Sequence, residues 1–418
     1  MRLLIPLCLN ICGLLPLCAV DLRAQSSGTA SVQRLTEREA VVRFMTGDPR
    51  VRALNARIDE VRAVEAERIL WPNPSMTYSR ESVLDTDDTF LLARQELPLS
   101  GRRRQLRTAG RIAVEAAQAD VRFQTIELQA DLRQAYTLLL VAQAREAVLG
   151  NGIDALQRLI TLLRVREEGG EGSSYDRMRG ARALLDLEAD LSLAAAARAR
   201  AQGQLAAYLG APVTPETVVA SDDLDTVITP PPVATLVQEA LSNRGDYRST
   251  ELSIVQFEAE RLAATRLRVP TPTLTGGLKR SDARGLSTSG YQFSVDVAVP
   301  LFSRGQAAAS LASAEKARAQ AEMESWRMRI EAEVRALHSA LAILQERAAR
   351  YRRSAAEIAE PLAEIGRVAY EEGELGILEV LDSDRQALDA RLRILDLAAA
   401  ARRGAIDLDR ATGREFRP

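Results

Sequence analysis

Glu379 and Asp382 stand three positions apart where a helix is expected to begin, so their carboxylates share one face of it. Such a pair has two uses. It meets the positive end of the helix dipole, an interaction worth about 0.3–1 kcal/mol. Where several copies of a chain surround an opening, it also makes stacked anionic rings that favour cations and repel anions, because desolvated walls focus the field. No other set of residues is assembled for chemistry. The one histidine, His338, lies within a long helical stretch, which leaves no Ser-His-Asp set and no His/Cys cluster. The sequence has no phosphate-cradling P-loop pattern either. These residues predict no enzyme, no cofactor and no resident metal, so energy for any work must come from a partner.

The elements around the pair follow from composition and punctuation. Aromatics are only 4% of the 418 residues while Ala, Leu, Arg and Glu dominate, which favours long helices over thick globular cores. A net charge of -2, with no Lys/Arg stripe interleaved with aromatics, argues against nucleic acid as a partner. Residues 1–24 read as a secretory signal, with Arg2 ahead of the apolar run Leu3 to Val20 and cleavage expected after Ala24. Pro6, Asn10, Gly13 and Pro16 make it a poor spanning helix. Cys8, Cys12 and Cys18 all fall inside it, so the exported chain would have neither disulfides nor thiolate metal sites. Leu15-Pro16-Leu17 is a poor match to the small residues that precede a lipidated cysteine. No later segment is apolar enough for a transmembrane helix, so any membrane passage would be by strands.

The punctuation occurs twice, roughly 200 positions apart. Trp71-Pro72-Asn73-Pro74 returns as Val269-Pro270-Thr271-Pro272. Glu168-Gly169 with Gly172 and Asp176 is echoed by Glu372-Gly373 with Gly376 and Glu379. The expected plan is a first repeat over 25–210, a Pro-rich linker over 211–232 without regular structure, a second repeat over 233–413 and a tail over 414–418. Each repeat should hold a broken helix, a strand pair, a long rod, a glycine reversal and a returning helix. The first strand pair is expected over 75–97, with its turn at Asp85 to Asp88, and the second over 273–299. The first rod, 102–168, would be about 100 Å long, with bends at Gly150 or Gly152, and Pro361 should kink the second rod. Gly169, Gly170, Gly172, Gly373 and Gly376 are expected to supply positive φ at the reversals.

Tyr291, Phe293, Val295, Val297 and Val299 alternate with Gln292, Ser294, Asp296 and Ala298, the period of a sheet with one apolar face. Strands of about ten residues can cross a bilayer when tilted. Four strands cannot close a barrel, whereas three chains would supply twelve. A soluble hairpin packed on the helices is the competing reading of the same alternation.

Four segments together define a likeness. They are Trp71-Pro72-Asn73-Pro74-Ser75, Gln95-Glu96-Leu97-Pro98-Leu99-Ser100-Gly101-Arg102-Arg103, Val299-Pro300-Leu301-Phe302-Ser303-Arg304-Gly305, and the run from Tyr370 through Glu372-Gly373-Glu374-Leu375-Gly376 to Ser383. With them the chain resembles the TolC-like outer-membrane efflux proteins, most closely their heavy-metal (cobalt-zinc-cadmium) branch. The resemblance implies a mainly α fold with a small β part and an internal duplication. It implies a homotrimer with a twelve-stranded β-barrel in outer-membrane lipid, continued by long helical hairpins that form an α-barrel tunnel across the periplasm. Such a channel is passive and docks onto a periplasmic adaptor and an inner-membrane pump of the RND type, exporting metal cations or small toxic compounds. Multidrug and type I protein-secretion channels share the scaffold and remain alternatives. A periplasmic coiled-coil adaptor or scaffold is the rival from another class.

The resemblance also implies roles for residues. Glu379 and Asp382 match the acidic rings at the periplasmic entrance, Asp176 matches the gate position of the first repeat, and Tyr370 matches the tyrosine that bonds to it in the closed state. Two departures stand out: Leu375 occupies the gate arginine position, and Glu379 is longer than the usual aspartate. The tips, Arg166 to Ser174 and Ala369 to Ile377 with their five glycines, are the expected adaptor surface.

Overall fold

The computed structural model describes residues 32–210, 213–224 and 229–416; the expected signal segment and all three cysteines lie outside the described residues. After a short strand β1 (Gln33–Leu35), two halves follow one order of elements. The first half runs α1 (Glu37–Gly47), α2 (Pro49–Glu67), β2 (Ser75–Val83), β3 (Thr86–Glu96), α3 (Arg102–Glu168) and α4 (Ser174–Leu209). After β4 (Val218–Ala220), the second half runs α5 (Val233–Asn243), α6 (Gly245–Thr265), β5 (Pro272–Ala283), β6 (Leu286–Val297), α7 (Gln306–Ser354), α8 (Glu360–Glu371) and α9 (Ile377–Ala411).

The break between α1 and α2 shows how local sequence sets the plan. Asp48 ends one helix and caps the next, its carboxylate accepting from the Arg50 N–H at 2.7 Å, while Pro49 fits the first helical position. Arg50 then reaches the Ala207 carbonyl near the end of α4. In the second half Arg244 does the same job, paired with Asp246 at 2.8 Å and donating to the Ala411 carbonyl at the end of α9. Each repeat thus ties its broken helix to its own returning helix.

Strands β2, β3, β5 and β6 form one antiparallel sheet in that order. They span 9, 11, 12 and 12 residues, enough for a tilted bilayer crossing. Register places Tyr78, Leu91, Leu278 and Tyr291 in one row across all four strands, and Met76, Ala93, Gly276 and Phe293 in the row beside it. Most of these large side chains are exposed; Phe293 is 81% accessible. The opposite face is mixed, with Thr77, Ser79, Lys279 and Gln292 around Leu92 and Phe90. Gly277 is needed where strands meet, since a Cβ there would stand 2.0 Å from the Leu91 carbonyl oxygen. The hairpin turns are tighter than expected. Val83 pairs with Thr86 and Ala283 with Leu286, so Leu84-Asp85 and Arg284-Gly285 make two-residue turns and Thr86 to Asp88 belong to β3. Positive φ at Leu84, Arg284 and Gly285 fits this turn class.

Two cores sit halfway along the helices, one per repeat. The first packs Phe44 of α1 with Leu132, Tyr136 and Leu139 of α3 and Leu205 of α4; the second packs Leu236 of α5 with Ile330, Val334 and Leu341 of α7. Beside the first, Arg133 is buried between Glu37 (2.5 Å) and Asp409 (3.0 Å), and Arg402 also pairs with Glu37 at 2.5 Å. A third core lies at the far tip.

One local expectation is corrected and the detail of two others is filled in. The linker is not free of regular structure: Val218–Ala220 pairs in parallel with Gln33–Leu35 because both segments end at Tyr136, whose hydroxyl donates to the Leu35 carbonyl and accepts from Ser221 and Asp222 N–H groups. Helix α3 is continuous over 67 residues through Gly150 and Gly152, and Gly152 allows close approach of Leu187 and Leu388. The distortion near Pro361 falls a turn earlier, as a π turn over Ala355–Ala359. Proline removes a donor and crowds the carbonyl four residues before it, so the preceding turn widens.

Candidate functional site

At the tip remote from the sheet, Leu156, Leu159 and Leu163 of α3 close over Tyr370 of α8 and Ile377 and Val380 of α9. This core fixes the start of α9 and the direction of its polar face. Glu379 and Asp382 lie exposed there, while Ile377, Val380 and Ser383 on the adjoining face are buried. Asp382 accepts from Gln386 Nε2 at 2.7 Å. Glu379 is in the first turn of α9, and its carboxylate folds back toward the N-cap: a Cβ on Gly376 would stand 2.8 Å from Glu379 Oε2. It therefore serves the helix dipole as well as facing solvent. One turn on, burial pushes the Asp384 carboxyl above its usual range, opposed by Arg367 and Arg391 and reinforced by Glu364.

The other sequence-predicted residues fall at the same tip. Asp176 sits half-buried in the first turn of α4, its N–H bonded to the Ser173 carbonyl. The Tyr370 ring is buried, and within the chain no bond from its hydroxyl to Asp176 occurs among the described residues. A guanidinium that the sequence marked only as the edge of the tip lies against the ring instead. Arg166 of α3 donates to the carbonyls of Tyr370 (3.0 Å) and Glu371 (2.7 Å), and its guanidinium lies 5.0 Å from the Tyr370 ring centre. It thereby satisfies the Glu371 carbonyl at the end of α8 and adds a second donor to that of Tyr370, which the Gly373 N–H already meets. Its place in the last turn of a helix was visible, but its partners lie some 200 positions away.

Of the five tip glycines only Gly170 and Gly373 have positive φ, 77° and 79°. Both close Schellman turns: Glu171 N–H bonds the Arg166 carbonyl and Glu374 N–H the Ala369 carbonyl. Gly169 and Gly376 have negative φ (-77° and -81°), which corrects the expectation for them. Gly172 is required for space, because a Cβ would lie 2.9 Å from the Glu167 nitrogen. Among the described residues no cluster of three or more His, Cys, Asp or Glu could hold a metal ion, and no helix is long and apolar enough to cross a membrane.

A four-stranded sheet with an exposed apolar face and unpaired edges at β2 and β6, mounted on helices about 100 Å long, defines a chain that builds a membrane pore only with further copies of itself. The outer membrane efflux protein family matches residues 72–211 and 236–414, and the chain belongs to that family. It is 24% identical over 347 residues to the cobalt-zinc-cadmium resistance protein CzcC of Cupriavidus metallidurans, covering 82% of this chain and 81% of that one. Among solved structures it resembles CusC (TM-score 0.76, 19% identity, 90% of this chain and 92% of that one). It also resembles the open-state MtrE channel of Neisseria gonorrhoeae (TM-score 0.74, 18% identity, 91% of each). The protein is thus an outer-membrane efflux channel extending into the periplasm, and not an enzyme. Family members work as trimers in tripartite systems with an adaptor and an inner-membrane pump. The scaffold reading without membrane passage is overturned.

Proposed function

We propose that this channel exports divalent metal cations, and that rings of Glu379 and Asp382 form its periplasmic gate, with Asp176 and Tyr370 beside them. The observation that supports the gate most is the exposure of both carboxylates on one face at the start of α9, directly over a buried apolar tip core. Three copies would stack six carboxylates around the entrance, a field that favours cations. The name of the relative in Cupriavidus metallidurans supports metal as the cargo. Arg166 supplies a guanidinium against Tyr370 where Leu375 replaces the arginine that the family resemblance would place there. The tips around Gly169, Gly170, Gly172, Gly373 and Gly376 meet the adaptor, and the pump is of the RND type.

Planar-bilayer recordings test the gate. Glu379→Ala with Asp382→Ala should raise conductance or lower cation preference several-fold; unchanged values of both would remove these residues from the gate. For the cargo, a deletion strain should become sensitive to divalent metals while keeping its resistance to drugs. The reverse pattern would favour a multidrug channel.

A further inference from the structure

The two rims of the sheet treat positive charge in opposite ways. At the hairpin end every basic side chain has a carboxylate partner: Arg80 with Asp87 (2.9 Å), Lys279 with Asp88 (2.7 Å), Arg280 with Asp282 (3.2 Å) and Arg284 with Asp85 (3.8 Å). At the helix end the pattern reverses. Arg104 and Arg107 in the first turns of α3, Arg266 and Arg268 just after α6, and Arg304 just before α7 are all exposed. None of these five has a carboxylate within 4.0 Å among the described residues. Of the acidic groups at this level, Glu65, Glu258 and Glu260 are held by Arg68, Arg261 and Lys316, while Glu67, Glu96, Asp296 and Glu315 have no basic partner among the described residues, so the open arginines still outnumber the open carboxylates.

The same level carries apolar groups left open. Phe302 is 91% exposed, Leu99 67%, Leu301 60% and Trp71 54%, and the Trp71 ring lies 4.9 Å under the Arg103 guanidinium. The ends of α2, α3, α6 and α7 converge here around a cleft lined by Arg68, Arg102, Leu106, Glu260, Leu311 and Glu315, and the open side chains sit on the segments that flank it, a collar at the junction of sheet and helices. Guanidinium groups alternating with a Trp, a Phe and leucines suit a membrane–water boundary, where apolar stems enter the acyl region and charged heads meet phosphates.

We propose that this collar binds the headgroups of anionic phospholipid in the periplasmic leaflet of the outer membrane, of the phosphatidylglycerol type. The forked guanidinium donors of Arg104, Arg268 and Arg304 hold phosphate oxygens, and Trp71 and Phe302 sit at the acyl boundary. Charge complementarity selects this occupant. Lipopolysaccharide phosphates lie in the other leaflet, and the rim that meets them has already neutralised its cations internally.

The test uses delipidated trimer in neutral detergent, titrated with phosphatidylglycerol or phosphatidylcholine and read by native mass spectrometry and by heat-induced trimer dissociation. Phosphatidylglycerol alone should bind and raise the dissociation temperature. The triple variant Arg104→Gln, Arg268→Gln, Arg304→Gln should weaken that binding roughly a hundredfold. Equal binding of both lipids, full retention in the triple variant, or a response to lipopolysaccharide only would overturn the proposal. Should the variant fail to assemble, wild-type protein decides the matter, since binding that does not weaken as salt rises from about 0.05 to 1 M is not headgroup recognition by arginine.

Discussion

Arg166 shows how one side chain can join two halves of a duplicated protein. It leaves α3, crosses to the other repeat and takes two carbonyls at the end of α8, as partner to that of Glu371 and as a second donor, beside the Gly373 N–H, to that of Tyr370, with the Tyr370 ring beneath it. Charge-assisted bonds of this kind contribute more than neutral ones, and the partly solvated setting puts the loss in Arg166→Met at about 2 kcal/mol. Amide exchange of residues 369–374 should speed up in that variant while the sheet and midpoint cores stay protected; uniform protection throughout would refute the role. The acidic pair was legible because a three-residue spacing on a helix fixes a shared face. Arg166 was not, because its partners are backbone atoms, which no residue type advertises.

Turns and caps set the behaviour of the elements. At the tips, Gly170 and Gly373 hold left-handed backbone, so Gly170→Ala or Gly373→Ala should each cost about 1–2 kcal/mol. Gly169→Ala should be close to neutral, its φ being ordinary and the nearest atom 3.5 Å from a new Cβ. Exchange rates at the tip amides will rank the three, and a large effect at Gly169 would contradict this account of the turn. The Glu-Gly repeat announced these reversals, since a C-terminal glycine is the usual way to end a helix. It could not say which glycine in each group takes the left-handed position and which only makes room. The strand ends were misjudged for a related reason: Asp87 and Asp88 look like turn residues, but register across four strands and ion pairs to Arg80 and Lys279 hold them in the ladder.

Across the whole molecule, duplication was the readable feature, because prolines and glycines mark the same boundaries in both halves. The clasp between β1 and β4 was hidden, as two three-residue strands leave no periodicity to detect. Tyr136 anchors that clasp, and burial raises its phenol from 10 to about 12. Its protonated form is favoured in the folded chain, so this contribution is complete below pH 10 and is lost as pH climbs from there through about 12, roughly 3 kcal/mol in all. Alkaline denaturation followed by circular dichroism should show that decline. Tyr136→Phe should be less stable at pH 8, having left the Asp222 N–H without its partner and the Leu35 carbonyl and Ser221 N–H with only each other, yet flatter between pH 10 and 12; an unchanged slope would mean the phenol does not govern the transition. The short bends of the sheet have a consequence of their own. With two residues at each outward bend, the described residues offer nothing at that end long enough to fold across the mouth as a plug, and little for an antibody or phage to grip. Closure of such an opening is left to the far end, where the proposed acidic gate lies.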